Sequence, residues 1–291
     1  EYIMAYCPTP ILVVSSSTNR GELFKTYDAL SAGAVDVLDK PAGDESDTVW
    51  ENTLIRTVKL VSRIRTITHP RARLSGYNNI ESVSPVSSTI QNVDGARYKV
   101  LAIGASTGGP AAIAYILRTL PQDFQLPILI VLHIGEIFGN SFADWLDTQT
   151  NRSVIIAETG MVVASLAGKV VMAPPNWHME VDDGRIKLTQ APERHSCRPS
   201  VDVLFETLAR DYGANVMACL LTGMGRDGAA GMLAVRRVGG LTIAQDEASC
   251  VIYGMPREAV MLNAVNYVLP LTQIVSTIVR LVTKSNGGSL K

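Results

Sequence analysis

Cysteine is scarce in this 291-residue sequence, and Cys7, Cys197, Cys219 and Cys250 stand far apart without a C-x-x-C pair. That spacing argues against a zinc site or a disulfide framework and suits a reducing cytosol. Histidine is equally rare, with four residues. Neither H-E-x-x-H nor another tight ligand spacing occurs, so no metal and no cofactor are expected. No charge of one sign is in surplus: the formal net charge is -1. That gives no basis for nucleic acid or an anionic membrane as partner. Long apolar runs are missing too, none approaching the ~20 residues of a membrane span. No signal peptide is visible, so a cytoplasmic location is expected. What remains is an ordinary globular composition, 47% apolar and 18% charged, long enough for two domains or one large one.

The sequence opens at Glu1 in a segment that reads as mid-helix, which suggests that an N-terminal portion is lost. Pro10–Ser16 is a short β-branched apolar run, as expected of a strand buried on both faces. Helical spacing follows at Leu23, Tyr27 and Leu30, then a strand over 34–38 and an amphipathic helix from about Asp47. Residues 1–65 therefore read as half of a parallel α/β domain. Between 66 and 95 apolar periodicity stops and Ser, Asn and Pro dominate, which marks a linker. From 96 to 291 strands and helices alternate. Strands are expected at 99–105, 127–133, 153–157, 169–173, 217–222, 241–244 and 266–269. Helices are expected at 110–120, 138–149, 200–212, 228–237 and 271–283, with a β-hairpin over 176–190 attached to the main sheet. The fold class is α/β: a doubly wound, mostly parallel sheet.

One turn in this second region suggests chemistry. Gly104-Ala105-Ser106-Thr107-Gly108 spells G-x-S-x-G between a strand and a helix, a pattern that exposes a serine hydroxyl beside unpaired helix N–H groups. The same turn could cradle a phosphate, although Ser106 stands where the dinucleotide pattern wants its second glycine. A nucleophilic serine needs a base and the base an orienting acid. His69 falls in the linker, His195 in a polar loop and His178 beside a possible pocket wall. His133 ends the strand 127–133, at the sheet edge where open α/β sheets bind ligands. Asp227, in the glycine-rich Leu221–Gly228 segment after another strand, is the first choice of acid, with helix N-capping from 228 as its ordinary role. Asp246 is second. Asp202 is expected to stabilise its own helix N-terminus. Backbone N–H groups near Thr107 and Met224 are the expected oxyanion hole.

Together, Gly104–Gly109, strand-end His133, Ala173–Met179, Arg198–Asp202, Leu221–Gly228 and Tyr253-Gly254-Met255-Pro256 resemble the CheB family, the chemotaxis response-regulator protein-glutamate methylesterases. The resemblance covers the whole second domain. It implies Ser106 as nucleophile, His133 as general base and acid, and Asp227 as orienting carboxylate. It also implies demethylation of glutamate γ-methyl esters on chemoreceptor cytoplasmic helices, with methanol released, and deamidation of receptor glutamines. Residues 1–65 resemble the C-terminal half of a flavodoxin-like receiver domain. Ser15 stands for its small hydroxyl residue and Lys40 for its phosphoryl-contacting lysine. The phosphoaccepting aspartate and acidic pair do not occur in this sequence. A histidine kinase partner is implied through an intact receiver, and nothing demands more than a monomer. The residues near Glu136 and Trp145 depart from the family pattern, and both are expected to flank the site. The alternatives are a serine hydrolase of the same fold acting on another ester or amide, and a non-catalytic anion-binding module.

Overall fold

The structure is a computed structural model that describes residues 2–15, 19–40, 47–64 and 97–286. The chain divides into two compact units, Glu1–Ser84 and Pro85–Lys291. The stretch 66–95, with His69, lies outside the described residues.

In the first unit a short helix (Tyr2–Tyr6) precedes β1 (Leu12–Ser15), which runs parallel to β2 (Asp36–Asp39) with Ser15 opposite Asp39. The helix Arg20–Ser31 joins them, started by Asn19, whose Oδ1 accepts the Gly21 N–H at 2.9 Å. It buries Leu23, Tyr27 and Leu30, the spacing read from the sequence. The helix Asp47–Val61 follows, and its Trp50 indole donates to the Asp39 carbonyl at 2.6 Å. The Lys40 N–H donates to the Ser15 carbonyl at 3.0 Å, so Ser15 and Lys40 end neighbouring strands.

The second unit is built on a seven-stranded, all-parallel sheet. Its strands are β3 (Val100–Ala105), β4 (Ile128–Leu132), β5 (Val154–Ile156), β6 (Val170–Met172), β9 (Val216–Leu220), β10 (Leu241–Gln245) and β11 (Tyr267–Leu269), in the spatial order β11-β10-β9-β3-β4-β6-β5. Strand residues alternate between two cores. Val100, Ala102, Leu129, Val131 and Ala218 pack with Leu204 and Phe205 of the helix Val201–Tyr212 and Met232 of the helix Ala229–Arg237. Ala105 and Leu132 face the other side, against Gly109 at the start of the helix Gly109–Thr119. The chain winds outward from β3 through β4, then restarts at β9 on the other side of β3. The order of strands thus reverses between β3 and β9, the position at which open α/β sheets bind ligands beyond their C-terminal ends.

Two expectations need correction. The hairpin β7 (His178–Asp182) and β8 (Arg185–Thr189) does not join the main sheet. It forms its own antiparallel pair, because Met179, Val181 and Ile186 are buried against the helix Val201–Tyr212. Thr207 of that helix accepts the Val181 N–H at 3.1 Å. The helix Met255–Met261 was not expected. It is too short for periodicity to show, and Pro256, which reads as a breaker, sits in a first turn where a missing N–H costs nothing.

Candidate active site

The three central strands each deliver one group. Ala105 is paired with Leu132 and Gly104 with Leu220, so Ser106, His133 and the 221–228 loop leave the sheet side by side. The His133 N–H donates to the Ala105 carbonyl at 3.0 Å, and the Ser106 N–H to the Thr222 carbonyl at 3.0 Å. Gly109 N–H closes the turn on the Ser106 carbonyl at 2.7 Å. The left-handed conformation that the turn requires falls on Gly108, at φ 78°, and not on the serine. Gly223 lets the next loop come close, since a Cβ there would stand 2.8 Å from that of Ser106. Thr222 ties both loops together: its N–H donates to Gln245 Oε1 at 2.9 Å and its hydroxyl to the Thr107 carbonyl at 3.0 Å.

His133 Nε2 meets Asp227 Oδ2 at 2.8 Å, the contact expected of a base and its orienting acid. Asp227 is buried, 2% exposed, and four further donors reach it. Val201 N–H lies 2.7 Å away, Ser200 Oγ 2.7 Å, Asp202 N–H 3.0 Å and Gly228 N–H 3.1 Å. The ordinary role foreseen for Asp227, capping the segment from 228, is therefore the lesser part. It mainly caps the helix Val201–Tyr212. Asp202 stands in the first turn of its own helix, as expected, and also serves a second one. Its Oδ1 accepts the Gly231 N–H of the helix Ala229–Arg237 at 2.7 Å. Two helices packed together present their first turns to each other's loops, which no spacing along one helix reveals.

The electrostatics follow from these contacts. Burial favours the neutral acid at Asp227, but the His133 hydrogen bond and charge, with Ser200 and Asp202, outweigh it and hold the carboxyl below its ordinary value. At Asp202 burial wins, aided by the nearby Asp227 charge, and raises the carboxyl despite Gly231, Arg194 and His195. Burial also favours neutral His133. Hydrogen bonds to Asp227 and Cys197 and the charges there overcome it and push the imidazole up to about 9.

The sequence brought Ser106, His133 and Asp227 forward as a triad, and the fold puts them at adjoining strand ends. Only the His133–Asp227 contact is closed. His133 Nδ1 faces Cys197 Sγ at 3.7 Å, and the Ser106 hydroxyl makes no hydrogen bond among the described residues. Of the other histidines, His178 is structural. Its Nδ1 accepts the Ser200 N–H at 3.1 Å and its Nε2 donates to the Pro192 carbonyl at 3.2 Å. His195 is more than a solvated loop residue: it bonds Asp202 at 3.0 Å and accepts from Arg226 at 3.2 Å. Asp246 does not reach His133; it holds Ser249 by its N–H at 3.0 Å and hydroxyl at 2.6 Å. Trp145 does not flank the site as expected, being buried and stacked on Phe142. Glu136 is exposed in the first turn of the helix Glu136–Gln149.

Sequence reasoning missed Cys197, Ser200 and Gln245 as site residues. The signal for the first two was Cys197-Arg198-Pro199-Ser200 just before a helix whose N-terminus Asp227 caps. The run Gly223–Gly228 also spells the dinucleotide pattern between a strand and a helix. Its helix N-terminus, where a phosphate would sit, is filled by the Asp202 carboxylate. An open cavity of about 630 Å³ lies beside Asp227, lined by His195, Cys197, Met224, Arg226 and Glu258. His133, Cys197 and Asp227 place donor atoms within 4.8 Å of one another, an assembly that spacing along the chain could not show.

Comparison with known proteins shows the family. The family model described as CheB methylesterase matches residues 101–278. This chain belongs to the CheB methylesterase family. A relative from Nitrosospira multiformis, described as a protein-glutamate methylesterase/protein-glutamine glutaminase, is 40% identical over 294 residues, covering 98% of this chain and 79% of its own length. One from Pseudomonas aeruginosa with the same description is 39% identical, covering 99% and 80%. The crystal structure of the Thermotoga maritima CheB methylesterase catalytic domain superposes with a TM-score of 0.60 at 34% identity. It covers 63% of this chain and 98% of that one.

Proposed function

We propose that this CheB-family chain is a protein-glutamate methylesterase and protein-glutamine glutaminase of chemotaxis adaptation, with Ser106, His133 and Asp227 as its catalytic residues. The observation that carries the reading is the part-buried His133–Asp227 contact at the strand end next to Ser106. With Nε2–H held by Asp227, the lone pair available to accept a proton is on Nδ1. When a receptor glutamyl methyl ester enters, the Ser106 hydroxyl takes the place of Cys197 at Nδ1. Catalytic hydrogen bonds commonly close only in the substrate complex. The serine oxygen then bonds to the carbonyl carbon while its proton moves to His133. The carbon–methoxy bond breaks, His133 returns the proton, and methanol leaves. Water attacks the acyl-enzyme by the same roles and releases the glutamate; a glutamine substrate would lose ammonia instead.

The developing oxyanion is assigned to backbone N–H groups at Thr107 and Met224. In support, the Met224 N–H has no partner among the described residues, and one such donor typically supplies ~3 kcal/mol in the transition state. No helix among the described residues is long and apolar enough to cross a membrane. The reading places the enzyme in the cytoplasm as a monomer, acting on receptor helices. It takes the first unit as receiver-derived, on the resemblance at Ser15 and Lys40, and as a point of control by a histidine kinase.

Methanol release from methylated receptor membranes tests this, comparing the chain with Ser106→Ala and His133→Ala. Loss of turnover in both, with folding retained, is expected; near-normal release by Ser106→Ala would overturn the mechanism.

A further inference from the structure

Cys197 is the group at the site for which the esterase mechanism has no use. It is half-buried and in no disulfide; its Sγ lies 3.4 Å from the His195 carbonyl oxygen and 3.7 Å from His133 Nδ1. The loop that carries it is held there by several contacts. Arg194 and Cys197 exchange both backbone hydrogen bonds, at 3.1 and 3.0 Å. Arg194 grips Glu206 with two nitrogens, at 2.5 and 2.7 Å, and His195 bonds Asp202. Between these anchors His195 and Ser196 are both left-handed, at φ 54° and 59°, a conformation that residues with a Cβ disfavour. Such strain persists only where the surroundings over-determine it.

We propose that Cys197 Sγ and His133 Nδ1 form a site for a soft divalent cation, Zn²⁺ fitting best, whose occupation switches the enzyme off. Zinc bonds thiolate sulfur at about 2.3 Å and imidazole nitrogen at about 2.0–2.1 Å, so a tetrahedral angle sets the two donors about 3.6 Å apart. The observed 3.7 Å matches that span without movement. The other imidazole nitrogen already bonds a carboxylate, Asp227, the arrangement that orients a zinc-bound histidine. Asp227 itself is not counted as a ligand, because five donors already occupy its oxygens. The open cavity along Cys197 provides the route of entry, and water completes the coordination. Binding replaces the Cys197 S–H bond by S–Zn and, below about pH 9, the His133 Nδ1–H bond by N–Zn; both protons leave to solvent, and nothing is oxidised or reduced. The ion takes the Nδ1 lone pair that the Ser106 proton needs. That consequence rests on the esterase reading, whereas the site does not.

The test titrates the intact chain with Co²⁺ as a spectroscopic substitute, following thiolate-to-cobalt charge transfer, and in parallel measures methanol release against Zn²⁺. One Co²⁺ per chain is expected. The band should vanish in Cys197→Ser and His133→Gln, both checked for folding by circular dichroism, and persist in Cys7→Ser. Saturating Zn²⁺ should lower turnover roughly 10²–10⁴-fold, as loss of a general base does, and EDTA should restore it. No band, a band surviving Cys197→Ser, or a band in active enzyme without loss of turnover would overturn the proposal. A folded chain that never releases methanol would count against the esterase reading, while the band would still decide the site.

Discussion

Asp227 caps the helix that begins beside Asp202, and Asp202 caps the helix that begins beside Asp227. The distances are 2.7 Å from Val201 N–H to Asp227 and 2.7 Å from Gly231 N–H to Asp202. This exchange locks the carboxylate bonded to His133 into the packing of two helices, so site geometry and stability share the same atoms.

Asp227→Asn should therefore damage both. An amide presents a donor where five donors already converge, and losing one partner of a buried ion pair costs on the order of 3 kcal/mol. Urea unfolding should show a lower midpoint, and methanol release should fall with it. Asp202→Asn lacks the contact with His133, and loss of its cap should cost about 1 kcal/mol. Its stability loss should exceed its effect on turnover. Equal effects on turnover would contradict the assignment of Asp227 as orienting residue.

On the proposed mechanism the rate should rise with pH, because only a neutral His133 imidazole can accept the Ser106 proton. With His133 pushed up to about 9, the profile of metal-free enzyme in EDTA should climb toward that pH, well above the ~6.5 of an ordinary histidine. The raised value also makes the His133–Asp227 contact stabilising below ~6.5, and that contribution is lost as pH rises through about 9. Melting temperatures across this range measure the second effect.

Gly223→Ala should disable the enzyme without unfolding it. The new methyl would stand 2.8 Å from the Ser106 Cβ, so the Ser106 loop must shift. Displacements on the order of 1 Å cost about 10²-fold in rate. Single-turnover methanol release, beside a thermal melt, separates the two consequences.

Cys219 and Cys250 should resist alkylation in the folded chain at pH 8. Burial pushes both thiols up to about 12, at Cys250 with help from nearby carboxylates, leaving almost no thiolate. Mass mapping after iodoacetamide should find label on exposed Cys7 and half-buried Cys197. Label on Cys219 in the folded chain would contradict its burial.

Much of the fold was legible because buried parallel strands are short apolar runs and their helices carry one apolar stripe. The β3 run, the Ser106 turn and the helix from Val201 with its Ser200 cap could each be read from local pattern. The helix Met255–Met261 could not, because seven residues give no repeat. Nor could the placement of the hairpin, because alternation says that one face is buried and not which element buries it.

What the sequence by itself determined is which residues end strands: Ser106, His133 and the loop to Asp227, each set by a local run of apolar residues stopping at a turn. Tertiary structure alone decided what those ends touch. The order β4-β3-β9 makes neighbours of residues 94 positions apart, His133 and Asp227. The packing of two helix N-termini sends each aspartate to the other's helix, and the loop anchored by Arg194 sets Cys197 against His133. The physical reason is that hydrogen bonds act over about 3 Å in space, whereas sequence pattern records only the few neighbours a residue meets along one strand or helix turn.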